Sequence, residues 1–301
     1  AAHAGGCYDT DPQKVRAQIE GYFTSPGGPG MSFPPKKGSG APVKGVIAPH
    51  IDLRSGGPCF AWAYKEIAQA SPPDLFVILG TAHQPMERLF ALTRKDFETP
   101  LGTLQTDQEL LEALSKRCSH DFFEDEILHR SEHTIEFQVL FLQTLYGENP
   151  DIRIVPILCG SFHEMVLNGA PPEQMPEFQD FASALRETLS SCGKESCLIA
   201  SADLAHVGLR YGDSLAPGPN FLEQVAREDL EMLGWAERLN PEGLFHSIRK
   251  DGDRRRICGF PPIYTLLSVV DATHGRLLKY DRCWMDPQRE SVVTFASMGF
   301  Y

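Results

Sequence analysis

Three apolar runs in this sequence each end in a side chain able to bind a metal or move a proton. They are Val46-Ile47-Ala48-Pro49-His50, Ile78-Leu79-Gly80-Thr81-Ala82-His83 and Ile199-Ala200-Ser201-Ala202-Asp203, with His206 just beyond the last. Unbroken apolar runs read as strands covered on both faces. In open α/β sheets the functional crevice lies outside the carboxyl ends of such strands. His50, His83, Asp203 and His206 are therefore expected to meet on one rim despite their separation in the chain. Two imidazoles with an anionic third donor form a recurring open metal site, suited to Fe(II), Cu(II) or Zn(II). The plainer alternative is a set of loop histidines satisfied by hydrogen bonds.

Two further places carry reactive side chains. Cys258 follows Arg254-Arg255-Arg256 and precedes Gly259. Nearby arginines favour a thiolate, whereas free cysteines are commonly inert core residues. The basic triplet reads either as a solvated turn or as an anion-binding lip beside Cys258. His133 and Glu136 lie one turn apart in a helical stretch, so both side chains can face one way. They read as pocket groups or as a capping and core-bonded pair.

The elements that would position these residues alternate along the chain. Asp11-Pro12 reads as an N-cap with proline at the first helical position, opening a helix to about Phe23. Residues 25–42, rich in Gly, Pro, Lys and Ser, read as a surface loop. Strands are expected at 46–48, 75–79, 152–158 and 197–200, and helices at 59–70, 107–116, 131–146, 177–190, 220–236, 241–248 and 262–270. Thr106 with Glu109 suggests a capping box for the second of these helices. The third is apolar nearly all round and should be deeply buried. Segments 277–280 and 292–296 alternate and read as an antiparallel pair at the sheet edge. The sum is an open, mostly parallel or mixed α/β sheet flanked by helices. No clear linker interrupts it, so residues 1–301 read as a single domain.

Composition narrows the function. The 301 residues are 42% hydrophobic and 23% charged, enough for a sizeable core under an ordinary surface. A formal net charge of −12 argues against nucleic acid as a partner, which would need a basic stripe. No run approaches the ~20 apolar residues of a membrane span, and no signal peptide is visible. The eight cysteines form no CxxC pair, so reduced thiols and a cytoplasmic location are expected.

Seven short motifs add a resemblance. They are His3-Ala4-Gly5-Gly6-Cys7-Tyr8, Ala48-Pro49-His50, Leu79-Gly80-Thr81-Ala82-His83, Thr99-Pro100-Leu101-Gly102, Glu132-His133-Thr134-Ile135-Glu136, Ser201-Ala202-Asp203-Leu204-Ala205-His206 and Ile257-Cys258-Gly259. In this order, and with the closing Ser291-Val292-Val293 segment, the chain resembles the Memo family, also called protein B of the AmmeMemoRadiSam system. The likeness spans essentially the whole chain and implies a fold similar to class III extradiol dioxygenases. It implies a divalent metal, Fe(II) first and Cu or Zn after it, held by His50, His83 and Cys258. Asp203 and His206 would line the same pocket, His206 as acid or base and Asp203 orienting it or binding metal. His133, Glu136 and Arg54 are expected as pocket or supporting groups, and Cys7 as packing.

The resemblance implies two classes of function. One is a metal-dependent oxidoreductase of dioxygenase-like type acting on a small molecule. The other is a non-catalytic module that holds a ligand or phosphopeptide in the same pocket, clamped by Arg54 and Arg254-Arg255-Arg256. A pathway link to a radical S-adenosylmethionine enzyme is a further implication, although this chain has no Cys-x-x-x-Cys-x-x-Cys motif itself. The chain departs from the family after the first histidine, with Ile51-Asp52-Leu53-Arg54 where Ala-Gly-Tyr is common. It also has Val207 where an aromatic is common. These changes remove aromatic surface from the pocket and put substrate preference in question.

Overall fold

A computed structural model describes residues 1–33, 38, 40–147, 149 and 151–301. The chain runs through α1 (Pro12–Thr24), β1 (Gly45–Ala48), α2 (Leu53–Gln69), β2 (Leu75–Thr81), β3 (Phe90–Leu92) and the hairpin β4 (Phe97–Thr99) and β5 (Gly102–Leu104). Next come α3 (Gln108–Arg117), α4 (His133–Tyr146), β6 (Arg153–Cys159), α5 (His163–Asn168), α6 (Pro176–Ser191), β7 (Ser196–Ser201) and β8 (Asp203–Gly208). It closes with α7 (Pro219–Glu237), α8 (Pro241–Arg249), α9 (Phe260–Val269), β9 (Gly275–Trp284) and β10 (Ser291–Phe300). The loop expected at 25–42 falls partly on residues 34–37 and 39, which lie outside the described residues. Among the described residues, no helix is long and apolar enough to cross a membrane.

Strands β6, β2, β7 and β1 are parallel neighbours in that spatial order. β3 joins β6 antiparallel, and β10 joins β1 antiparallel. β9 pairs with β10 along nearly its whole length. The other side of β10 is shared, because Ile47 of β1 faces Met298 while Asp203 of β8 faces Phe295. β8 therefore begins where β1 stops. Only Ala202 separates β7 from β8, and its N–H donates to the Ala48 carbonyl at 2.8 Å. In one residue the chain steps over the end of β1 and sets Asp203 beside His50.

Both sheet faces are covered, as the unbroken apolar strands require. Leu75, Val77 and Leu79 pack with Phe181, Leu233, Phe245 and Leu266 of α6, α7, α8 and α9. Phe76 and Ile78 point the other way, into a cluster with Ile19, Phe60 and Phe141 of α1, α2 and α4. The period of two along β2 thus divides the core into two layers.

Several elements differ from expectation. α2 starts at Leu53, not residue 59, with Asp52 as its cap accepting from the Arg54 N–H at 2.8 Å. Gly56, Gly57 and Pro58 are poor helix formers, yet packing overrides their preference. A Cβ on Gly57 would lie 2.5 Å from the Tyr22 ring, so only glycine lets α2 approach α1 this closely. The cap of α3 is Asp107, accepting from the Leu110 N–H, while Thr106 donates instead to the Lys95 carbonyl. The expected terminal pair forms, but β10 lies inside the sheet and not at its edge. β3, β4 and β5 are three residues each, too short to stand out from their neighbours.

Gly80 sits where α4 crosses the end of β2. A Cβ there would fall 2.6 Å from Thr134 Oγ1 and 2.8 Å from Ile135 Cγ1. Gly80→Ala is expected to cost about 1–3 kcal/mol through overpacking, read as a lower urea midpoint. An unchanged midpoint would contradict the close approach.

Candidate metal centre

The ends of β1 and β2 and the loop before α9 bring His50, His83 and Cys258 together, with one ligand atom from each within 4.8 Å of the others. His50 is buried, and its Nδ1 donates to the Ser201 carbonyl at 2.9 Å, which leaves Nε2 facing the Cys258 Sγ at 3.3 Å. His83 is exposed, and its Nδ1 lies 3.2 Å from both oxygens of Glu132, which leaves its Nε2 free. A carbonyl or carboxylate on the far nitrogen is how metal-ligating histidines are held in one tautomer and one orientation. The two rings meet edge to face, with centroids 5.1 Å apart.

A buried network supports the first of these contacts. The Ser201 hydroxyl donates to the Thr134 carbonyl at 2.6 Å, and Gln138 Nε2 donates to both Ser201 Oγ and the Pro49 carbonyl at 2.7 Å. Tyr64 in turn donates to Gln138 Oε1 at 2.8 Å. Thr81 Oγ1 lies 3.3 Å from the carbonyls of both Ser201 and Cys258. The polar side chains of α2, α4 and β2 are thus spent on holding the rim, where unpaired they would be costly.

The arginine triplet is neither a solvated turn nor a free anion lip. Arg254 pairs with Glu228 at 2.7 Å, Arg255 with Asp229 at 2.5 Å, and Arg256 with Asp213 at 2.7 Å. Arg255 and Asp229 are both fully buried, and Asp229 also accepts from Tyr280 and Thr294. These pairs dock the Cys258 loop onto α7 and onto the turn that follows β8. The His206 N–H donates to the Arg255 carbonyl at 2.7 Å, and the Gly259 N–H to the Asp203 carbonyl at 3.0 Å. The expected arginine-stabilised thiolate is corrected accordingly. Burial, then the charge of Asp203, pushes the Cys258 thiol well above its ordinary pKa.

Asp203 and His206 both border this centre from β8. Asp203 Oδ1 accepts from the N–H groups of His50 at 2.9 Å and Ile51 at 3.2 Å, and Oδ2 lies 3.6 Å from His50 Nε2. Burial raises the pKa of this carboxyl against the pull of His206. His206 Nδ1 donates to the Leu204 carbonyl at 3.0 Å, and its ring meets Tyr211 edge-on at 5.1 Å. Burial lowers its pKa, so it stands neutral at pH 7. His50 is likewise held neutral by burial and by the neighbouring imidazoles.

The His133–Glu136 pair divides its roles. The His133 ring packs 5.6 Å from His50 and stacks on His83 at 5.1 Å and 19°. Glu136 instead accepts from the N–H groups of Ala2 and His3, from the His3 ring and from the Tyr8 hydroxyl, tying the first residues to α4. Arg54 is committed to the Gly6 carbonyl at 2.6 Å. Glu132 went unforeseen, although an acid opening an apolar helix is a legible capping signal. It accepts from the N–H groups of His133 and Thr134 and so caps α4. His83, Glu132 and His133 also cluster as potential ligands, but hydrogen bonds to that carboxylate account for their closeness. A cleft of about 470 Å³ is lined by His83 and Cys258 together with Phe162, His163, Asp253 and Arg256.

Known proteins resemble this chain along its whole length. A family model described as "Memo-like protein" matches residues 1–299. A MEMO1 family protein of Methanothermobacter thermautotrophicus is 31% identical over 305 aligned residues, covering 99% of this chain and 98% of that protein. One from Desulfurococcus amylolyticus is 30% identical, covering 99% and 97%. One from Aquifex aeolicus is 28% identical, covering 100% of this chain and 72% of its own length.

Removing one member of a buried ion pair strands the other. Asp229→Ala is expected to destabilise the protein by about 3–5 kcal/mol, measured by urea unfolding. A loss below about 1 kcal/mol would show that Arg255 does not depend on this partner.

Proposed function

The chain belongs to the Memo family, and from that premise and the donor geometry we propose a metal-dependent oxidoreductase whose His50, His83 and Cys258 hold one divalent ion, iron first, copper second and zinc third. One observation carries this reading. Two imidazoles, each with its far nitrogen tied to a protein acceptor, meet one sulfur within 4.8 Å. Nitrogen and sulfur donors around a tetrahedral ion at about 2.0–2.3 Å stand roughly 3.3–3.8 Å apart. The 3.3 Å between Cys258 Sγ and His50 Nε2 already falls in that range.

An ion held by three protein donors keeps open positions, where it would polarise a bound ligand and carry electrons. The residues of this chain supply the rest. Asp203 locks the turn after β1 through two N–H groups and keeps its second oxygen beside His50. His206, neutral and fixed at Nδ1 by the Leu204 carbonyl, offers Nε2 for proton transfer. The cleft has the size of a small-molecule pocket. A phosphopeptide module draws no comparable support, because the guanidinium groups that would clamp the phosphate are already paired within the protein.

Two measurements test this reading. The double variant His50→Ala with His83→Ala is expected to retain no metal by elemental analysis, and full occupancy would remove the assignment. Metal uptake at pH 7 should also release protons, because the Cys258 thiol lies well above its ordinary pKa and must deprotonate to bind. His83 adds to this, since burial lowers its pKa but the Glu132 hydrogen bond and charge outweigh it and raise it. Affinity should therefore go on rising with pH from about 6 to beyond the ordinary thiol value of about 8.5. Calorimetry in buffers of different ionisation enthalpy reads the release, and proton-neutral binding would contradict thiolate ligation.

A further inference from the structure

Glu132 touches more of the centre than any single ligand does. One oxygen accepts from the His83 N–H at 2.9 Å, and the other from the His133 N–H at 2.9 Å and the Thr134 N–H at 3.3 Å. The carboxylate also lies 3.2 Å from His83 Nδ1 and 3.0 Å from His133 Nδ1. It is buried at the N-terminus of α4, where the helix dipole favours its charge. Hydrogen bonds from His133 and His83 hold it ionised against its burial. One anion thus receives the Nδ1 hydrogens of two imidazoles.

The consequence is geometric. The His83 and His133 rings stack 19° from parallel with their centroids 5.1 Å apart, and both Nδ1 atoms converge on Glu132. Their Nε2 atoms must then both face away from it. His83 spends its Nε2 on the proposed ion. His133, 5.6 Å from the His50 ring, has no protein partner for its own Nε2 among the described contacts. Its ring also meets His3 edge-on at 5.8 Å, and Glu136 holds that His3.

We propose that Glu132 is a positioning residue that orients His83 and His133 together, and that His133 Nε2 hydrogen-bonds a small anionic or protic ligand placed at the open side of the centre. This rests on the metal reading above and extends it to the group that recognises the second ligand. A carboxylate behind a ligating histidine commonly governs affinity, and its loss typically costs about 10–100-fold. Here the same carboxylate would govern a ligand-recognising imidazole as well.

Co(II) and azide are suitable probes, because cobalt bound to a thiolate gives a charge-transfer band and azide bound to cobalt shifts the ligand-field spectrum. Glu132→Gln keeps an oxygen for the backbone N–H groups, and Glu132→Asp keeps both cap and charge but withdraws the carboxylate by one methylene. Both are expected to melt within a few degrees of wild type and to bind Co(II) about 10–100-fold more weakly. His133→Phe is expected to keep the cobalt–thiolate band and to lose azide affinity at least tenfold. Co(II) affinity equal to wild type in a folded Glu132→Asp protein overturns the positioning role. Unchanged azide affinity in His133→Phe overturns the recognition role. Wild-type protein that takes up cobalt without a thiolate band overturns the metal reading itself, and this proposal with it.

Discussion

The centre depends on one strand accepting two partners in succession. β10 gives one side to β9 and divides the other between β1 and β8. Because β1 stops at Ala48, Asp203 can enter the row it vacates, and its carboxylate finds the N–H groups of His50 and Ile51. Those N–H groups have left the ladder and would otherwise be buried without partners. The carboxylate satisfies them, and His50 is thereby fixed at the mouth of the sheet. Without the step at Ala202, neither Asp203 nor His206 would stand beside the histidines that end the parallel strands.

The electrostatics follow from this packing. The chain is strongly acidic, yet around the centre its charges are matched one for one. Arg255 with Asp229, and Glu132 with two imidazoles, each bury charge beside an opposite charge or a donor, while the half-exposed Arg256 pairs with Asp213 nearer the surface. Pairs of this kind add little net stability, but they penalise any arrangement that separates them. They hold the Cys258 loop against α7 and the turn after β8 while leaving the sulfur without a cation of its own. Its proton therefore stays on until something stronger than an arginine displaces it.

Much of this was readable from residue order. The apolar runs ending at Ala48, Leu79 and Ala200 announced strands covered on both faces, and the rule that crevices lie at their carboxyl ends put His50, His83 and Asp203 on one rim. Asp11-Pro12 marked α1 as found. What escaped had local signals that tertiary contacts overrule. Gly56-Gly57-Pro58 has poor helix propensity, and only the close approach of Tyr22 to Gly57 explains the earlier start of α2. No strand is expected at Asp203-Leu204-Ala205-His206, which becomes β8 through its pairing with Thr294 and β10. The arginines look like an anion site because their carboxylates, at positions 213, 228 and 229, are distant in sequence. Cys258 gained its place from the family likeness, since the one local signal beside it, the arginine triplet, is spent on other carboxylates.

X-ray absorption on the metal-loaded protein tests the central claim most directly. The account predicts one sulfur scatterer at about 2.3 Å and two imidazole nitrogens at about 2.0–2.1 Å from the ion, with the sulfur lost in Cys258→Ser. A shell of nitrogen and oxygen alone, unchanged by that substitution, would contradict it.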